Sequence, residues 1–172
     1  MPGTRAVLGS LGGAGRWLGL AAFLALLGNQ PCGPLPGSAL EGEAVDTPVS
    51  DWSFSDAHSR CLLEVRPDDP HSITVSCFAG DGVLYVPAIM GESKQWPKMV
   101  AADPRARVKI GDAIYPVTIE RILDPAERER AARASYRKYH DGEDPPRDWK
   151  VPEDRWFFRL GSRTPEAGRR EG

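Results

Sequence analysis

The 172-residue chain has little of several things that usually announce a function. It has no basic excess: 22 Lys and Arg stand against 24 Asp and Glu, which argues against a general nucleic-acid binder. Its three histidines, His58, His71 and His140, are scattered, and no His/Cys cluster has metal-ligand spacing. It contains no G-x-S-x-G nucleophile turn and no phosphate-loop pattern. Internal repeats and low-complexity tracts are absent as well. These gaps remove the motif-borne enzyme classes and leave fold and cofactor class to carry any functional reading.

What is present begins with a targeting pattern. Residues 1–16 carry Arg5 and Arg16 and no acidic residue, and residues 17–27 read WLGLAAFLALL, eleven residues without a charge. A Gly-, Pro- and small-residue stretch follows, which completes the order of a secretory signal. The apolar run is shorter than the roughly 20 residues that span a bilayer comfortably. Residues 1–39 are therefore expected to be a signal peptide, cut after Ala39 or Ala44, with an uncleaved membrane anchor as the alternative. Cys32 follows Asn29-Gln30-Pro31, a poor lipoprotein signal, and no twin-arginine pair precedes the apolar run. Either way the positive charges precede the apolar run, so the remainder is expected outside, periplasmic or secreted. Membrane contact would then come only through an uncleaved N-terminal segment.

Residues 40–58 read as an acidic, polar lead-in from which Trp52 and Phe54 could dock. A domain at 59–161 follows, and then a frayed tail at 162–172. In the domain, Cys61, Leu63 and Val65 alternate with polar or opposite-face residues, as do Ile73, Val75 and Cys77. Such period-2 alternation predicts an antiparallel ribbon with one buried face. A register with Val65 facing Ile73 sets Cys61 opposite Cys77, close enough for a disulfide in an oxidising compartment. Two buried free thiols are the alternative.

Asp81-Gly82 signals a turn before a strand at 83–87, and Ser93–Ala101 could form a short helix with Trp96, Met99 and Val100 inward. Residues 106–110 and 113–123 form a second hairpin about Gly111-Asp112, whose Gly-first loop suits a type II′ turn. Pro116 cannot donate to a ladder, so an edge or a bulge is expected there. Asp124-Pro125-Ala126-Glu127 opens a helix with a capping residue, Pro at the first helical position and Glu three residues after the cap. That helix runs to about His140, with Ala132, Tyr136 and Tyr139 expected to pack inward. A final strand spans 155–160. The fold class expected from this order is mainly β (α+β): a small antiparallel barrel with one short and one longer helix.

The stretch Gly82–Leu160 carries LYVP, GESKQWPKMVAADPRARVKIGDAIYPV, an ILDPAERERA helix, the Tyr-rich YRKYH and a late RWFFRL strand. It resembles the split β-barrel proteins of the pyridoxamine-phosphate-oxidase-like superfamily, and most of all their deazaflavin-dependent nitroreductase branch. The resemblance implies a split-barrel oxidoreductase that binds FMN or a deazaflavin in a groove, often at a homodimer interface, and the N-terminal pattern adds export. It assigns cofactor contacts to Ala88, Gly91, Ser93, Lys94 and Trp96, with the basic hairpin residues Arg105, Arg107 and Lys109 as second candidates. It places substrate-side hydroxyls at Tyr136 and Tyr139. The chemistry is coherent, because a Gly turn opening a helix offers free N–H groups to an anion and Lys adds a mobile charge. A non-catalytic envelope module that binds a partner protein on the same scaffold is the alternative reading.

Overall fold

The structure, a computed structural model, describes residues 37–164. The segment expected to direct export lies outside the described residues up to residue 36, as does the tail from residue 165. No helix among the described residues is long and apolar enough to cross a membrane.

Eight strands form one curled sheet: β1 (Glu43–Ala44), β2 (Cys61–Val65), β3 (His71–Val75), β4 (Phe78–Gly80), β5 (Val83–Ile89), β6 (Arg105–Ile110), β7 (Ala113–Arg121) and β8 (Arg155–Ser162). Helix α1 (Trp96–Ala102) joins β5 to β6, and α2 (Pro125–Tyr139) follows β7. The strand order is β3-β2-β6-β7-β8-β5-β4, with β1 running parallel to the start of β7. The other pairings are antiparallel. The protein is thus mainly β with two α-helices.

Alternation along each strand sorts side chains onto two cores. Leu84, Val86 and Ala88 of β5 and Phe158 and Leu160 of β8 join Leu63, Val108, Val117, Trp96 and Val100 in the concave interior. Tyr85 and Phe157, one residue out of phase, face the other way and meet Phe78 and the Ala131, Ala132 and Ala134 stripe of α2. Small side chains on that helix let it lie close to the sheet. A Cβ on Gly80 would stand only 2.9 Å from Ala134 Cβ.

The turns follow their residues. Asp81 and Gly82, at φ 51° and 76°, make the two-residue β4–β5 hairpin, and Gly111 at φ 61° turns β6 into β7. Asp124 Oδ2 accepts the Glu127 N–H at 2.7 Å, and Pro125 begins α2. Pro116 sits neither at a bulge nor on a free edge. Along that side of β7, β1 pairs Ala113 and Ile114 while β8 pairs Val117 to Arg121, so Pro116 falls where one neighbour gives way to the other.

Two further expectations need correction. The first hairpin pairs Val65 with His71 and Cys61 with Val75, two residues away from the expected register. Arg66 explains the slip: at φ 55° it turns the chain at once, and the Asp69 N–H closes the turn on its carbonyl. The strand ends at Val75, and Cys77 reaches Cys61 diagonally, with 5.9 Å between their Cα atoms, in a disulfide. Tyr139, expected to pack inward, is exposed, because α2 buries the face carrying Ala131, Ala134 and Ser135.

Residues 37–58 are part of this packing. Val45 donates to Ile114 O, Gly37 to Ser72 O and Lys109 Nζ to Glu41 O. The Leu40 N–H meets Glu64 Oε2 at 2.7 Å, and Arg107 holds both oxygens of that carboxylate at 2.6 Å. Trp52 is buried against Tyr115, with ring centroids 5.3 Å apart, while Phe54 beside it stays largely exposed. Lys138 reaches across from α2 and donates to the carbonyls of Ser55, His58 and Cys77. Burial pushes the Lys138 pKa down, and the nearby Asp56 carboxylate opposes that shift.

Candidate functional site

The curled sheet does not close. Beyond Tyr85, β5 no longer has β4 beside it, and Ile73 to Ser76 form the facing wall of a groove of about 370 Å³. Pro87, which has no N–H to leave unpaired, lies on this open stretch. Ala88, Ile89, Lys94, Trp96 and Arg60 complete the lining. Arg60 and Lys94 bring two cations to the groove, and no carboxylate lines it. Neither side chain has an ion-pair partner among the described residues. The groove therefore presents uncompensated positive charge beside apolar walls and the Trp96 indole.

A larger cleft of about 580 Å³ lies between α1 and the β7–β8 face, walled by Pro97, Val100, Ile119, Trp156 and Phe158. Its charges are mixed, Lys98 and Arg121 against Glu92 and Glu120. The Arg121 guanidinium lies over the Trp156 ring, 3.3 Å from its centroid. By charge alone, the smaller groove is the better anion site.

Searches by sequence find no matching family model and no matching curated protein. Solved structures do match. A conserved hypothetical protein of Mycobacterium tuberculosis superposes with a TM-score of 0.52 at 18% identity, over 72% of this chain and 86% of that one. A protein of Bacteroides thetaiotaomicron, described provisionally as a 5-nitroimidazole antibiotic resistance protein, gives 0.51 at 10% identity, over 67% and 82%. A provisionally described pyridoxamine 5'-phosphate oxidase of Listeria innocua gives 0.45 at 19% identity, over 63% and 87%. The fold is the split β-barrel.

Within this split barrel the residues singled out from the sequence fall into four places. Ala88, Lys94 and Trp96 come together in the acid-free groove. Gly91 and Ser93 sit in the turn before α1, away from its lining. Gly91 packs flat on Trp156, and the Ser93 hydroxyl donates to Met90 O at 2.9 Å. Arg105 and Arg107 are already engaged. Arg105 grips Asp103 and Asp68, which raises its pKa and holds the Asp103 carboxyl below its usual range. Arg107 is bound to Glu64. Tyr136 and Tyr139 line a separate pocket beside α2, where the Tyr139 hydroxyl donates to Ser59 O at 3.0 Å.

Sequence reasoning missed Arg60, which precedes the first alternating strand and belongs to no motif. Its signal would have been the topology, because only curling of the sheet brings Arg60 and β3 up to β5. It also missed Arg155 and Trp149, which flank the Tyr pocket.

Proposed function

We propose that this protein binds an anionic, flavin-type cofactor, FMN or a deazaflavin, in the β3–β5 groove of its split barrel and acts as an oxidoreductase. The observation that carries this reading is the acid-free groove holding the unpaired cations Arg60 and Lys94 next to Trp96. The residues fit such a group. Two cations suit a phosphate, and the apolar β5 wall with Trp96 suits a flat ring system. Such a cofactor, when bound, supplies hydride or electron transfer; the protein orients it and tunes its surroundings.

The groove is open to solvent on one side. Ile89 and Met90 at the end of β5 are exposed. We infer that a second copy of the chain covers this end, so that the working form is a homodimer. The same reading includes export to the periplasm or beyond. The charge order of residues 1–27 and the Cys61–Cys77 disulfide both support it.

Titration with FMN and with a deazaflavin, followed by absorbance and by fluorescence quenching, tests the proposal. At least one should bind, and the Arg60→Met/Lys94→Met variant should lose about tenfold or more in affinity, since each charge-assisted contact contributes about 1.5–3 kcal/mol. Failure of the folded wild-type protein to bind either compound, or unchanged affinity in the variant, would overturn it. Light scattering of the purified protein with and without cofactor tests the dimer, and fractionation of expressing cells tests export.

A further inference from the structure

The pocket between α2, the 141–154 loop and β8 belongs to neither the groove nor the α1 cleft. It has a volume of about 330 Å³. Its walls are aromatic: Tyr136, Trp149 and Phe157. Trp149 meets Tyr136 nearly edge-on, with centroids 5.6 Å apart and planes at 70°. The back of the Tyr136 ring is stacked on His140 at 3.8 Å and 3°. These rings are held from behind, so the pocket is formed before any ligand arrives.

The loop that closes the pocket is tied down too. Arg128 of α2 donates to Pro152 O at 2.6 Å, and Trp149 packs on the Phe78–Phe157 core. Arg155 also lines this pocket. Its Nε is buried and has no hydrogen-bond partner. A buried guanidinium nitrogen without an acceptor is costly, and a native fold usually supplies one. No carboxylate lines the pocket to do so. Asp144 of the loop is bound to Arg137 instead. His140 Nδ1 faces the Tyr136 carbonyl at 2.8 Å, so it carries the proton there and leaves Nε2 unbonded.

An unsatisfied planar cation set among aromatic rings matches a flat ring that bears a carboxylate. We propose that this pocket binds a small aromatic carboxylate, with the ring against Trp149 and Phe157 and the carboxylate on Arg155. The site borders the cofactor groove: Arg155 is the cross-strand partner of Ile89, so both side chains leave the same face of the β5–β8 pair. A ligand here would approach the groove along that face. The pocket does not depend on the groove being filled.

The test uses the full chain and benzoate, benzamide and acetate as probes, read by heteronuclear NMR with the Trp149 indole N–H as reporter. Benzoate should bind and shift that resonance. Benzamide, which has no charge, and acetate, which has no ring, should each bind at least about tenfold more weakly, as expected for loss of a charge-assisted pair or of the ring contact. Arg155→Gln should lose benzoate affinity by a similar factor, and Arg155→Lys should recover part of it. Melting curves show whether either variant is folded, and Trp149→Phe supplies a second variant that leaves Arg155 in place and should also weaken binding. No benzoate binding by folded wild-type protein, or equal binding of benzoate and benzamide, would overturn the proposal. So would unchanged affinity in folded Arg155→Gln. FMN titration of the same samples reads the groove independently, so failure at one site is distinguishable from failure at the other.

Discussion

Breaking the Cys61–Cys77 disulfide should cost this domain about 3 kcal/mol. The bond closes a loop with a sequence separation of 16 residues. Loop-closure entropy for that length is about 10 cal/mol/K, or about 3 kcal/mol at room temperature. Small domains have total stabilities of about 5–15 kcal/mol, so the loss is large. For a domain of this size it corresponds to a fall in Tm of about 10 °C. Both cysteines are buried, so reduction should be done on unfolded protein, with the thiols titrated before refolding. The reduced form isolates the cross-link. Cys61→Ala/Cys77→Ala removes two buried sulfurs as well and should cost about 1–2 kcal/mol more. The location matters too. Cys77 links β3 to β4, the two ends of the strand order, and its carbonyl accepts from Lys138. Amide exchange should therefore rise first in β3, β4 and residues 53–58, and only later in β6 and β7. Urea melts of oxidised and reduced protein check the magnitude. Midpoints that coincide, with free thiols confirmed, would refute the reasoning.

Three further outcomes follow from named contacts. Arg107→Met should destabilise by about 3 kcal/mol and Glu64→Gln by only about 1, because Glu64 is 1% exposed and Arg107 33%, so an orphaned Arg107 can reach water and an orphaned Glu64 cannot; denaturant midpoints that rank the variants the other way would contradict this. Gly91→Ala should cost about 1–3 kcal/mol and alter Trp fluorescence, because its Cβ would stand 2.4 Å from Trp156 Cδ2 under an indole already covered by Arg121. Arg105 holds the Asp103 pKa below 3.8, so that pair stabilises the fold above pH 3.8 and its contribution is lost as pH falls through the lowered value. Carboxyl NMR titration should show the Asp103 pKa returning toward 3.8 in Arg105→Gln, and no movement would disprove the linkage.

How much of this was legible in the sequence depends on the range of the interaction. Strands β2, β5, β6, β7 and β8 and both helices are written in local alternation, turn residues and the Asp124 cap. The register of the first hairpin was not, because it is decided by Arg66 adopting a positive φ, and no residue pattern marks an arginine for that conformation. β4 was hidden for a related reason. Phe78–Gly80 continues the apolar alternation of β3, and only the break after Val75 separates them. The burial of Glu64 is invisible for another reason. On its own strand it occupies the polar face, and it is covered by Leu40 and its neighbours, which the sequence marks only as an acidic lead-in.

The two proposed anion sites show the same division. Lys94 and Trp96 were legible because they share a turn and a short helix. Arg60 becomes their neighbour only when β3 is carried round the curled sheet to β5, across five strand pairings. Arg155 read as one more charge before a strand. Its significance lies in what surrounds it: three aromatic walls from three separate segments, and no carboxylate. Cations committed to acids, as Arg105 and Arg107 are, hold the barrel together and have little left to offer a ligand. The cations on which the proposed binding rests are those the fold leaves unmatched. Arg60, Lys94 and Arg155 meet that condition: the first two line the groove on the open side of β5, and Arg155 lies on β8, across from Ile89 on its paired side.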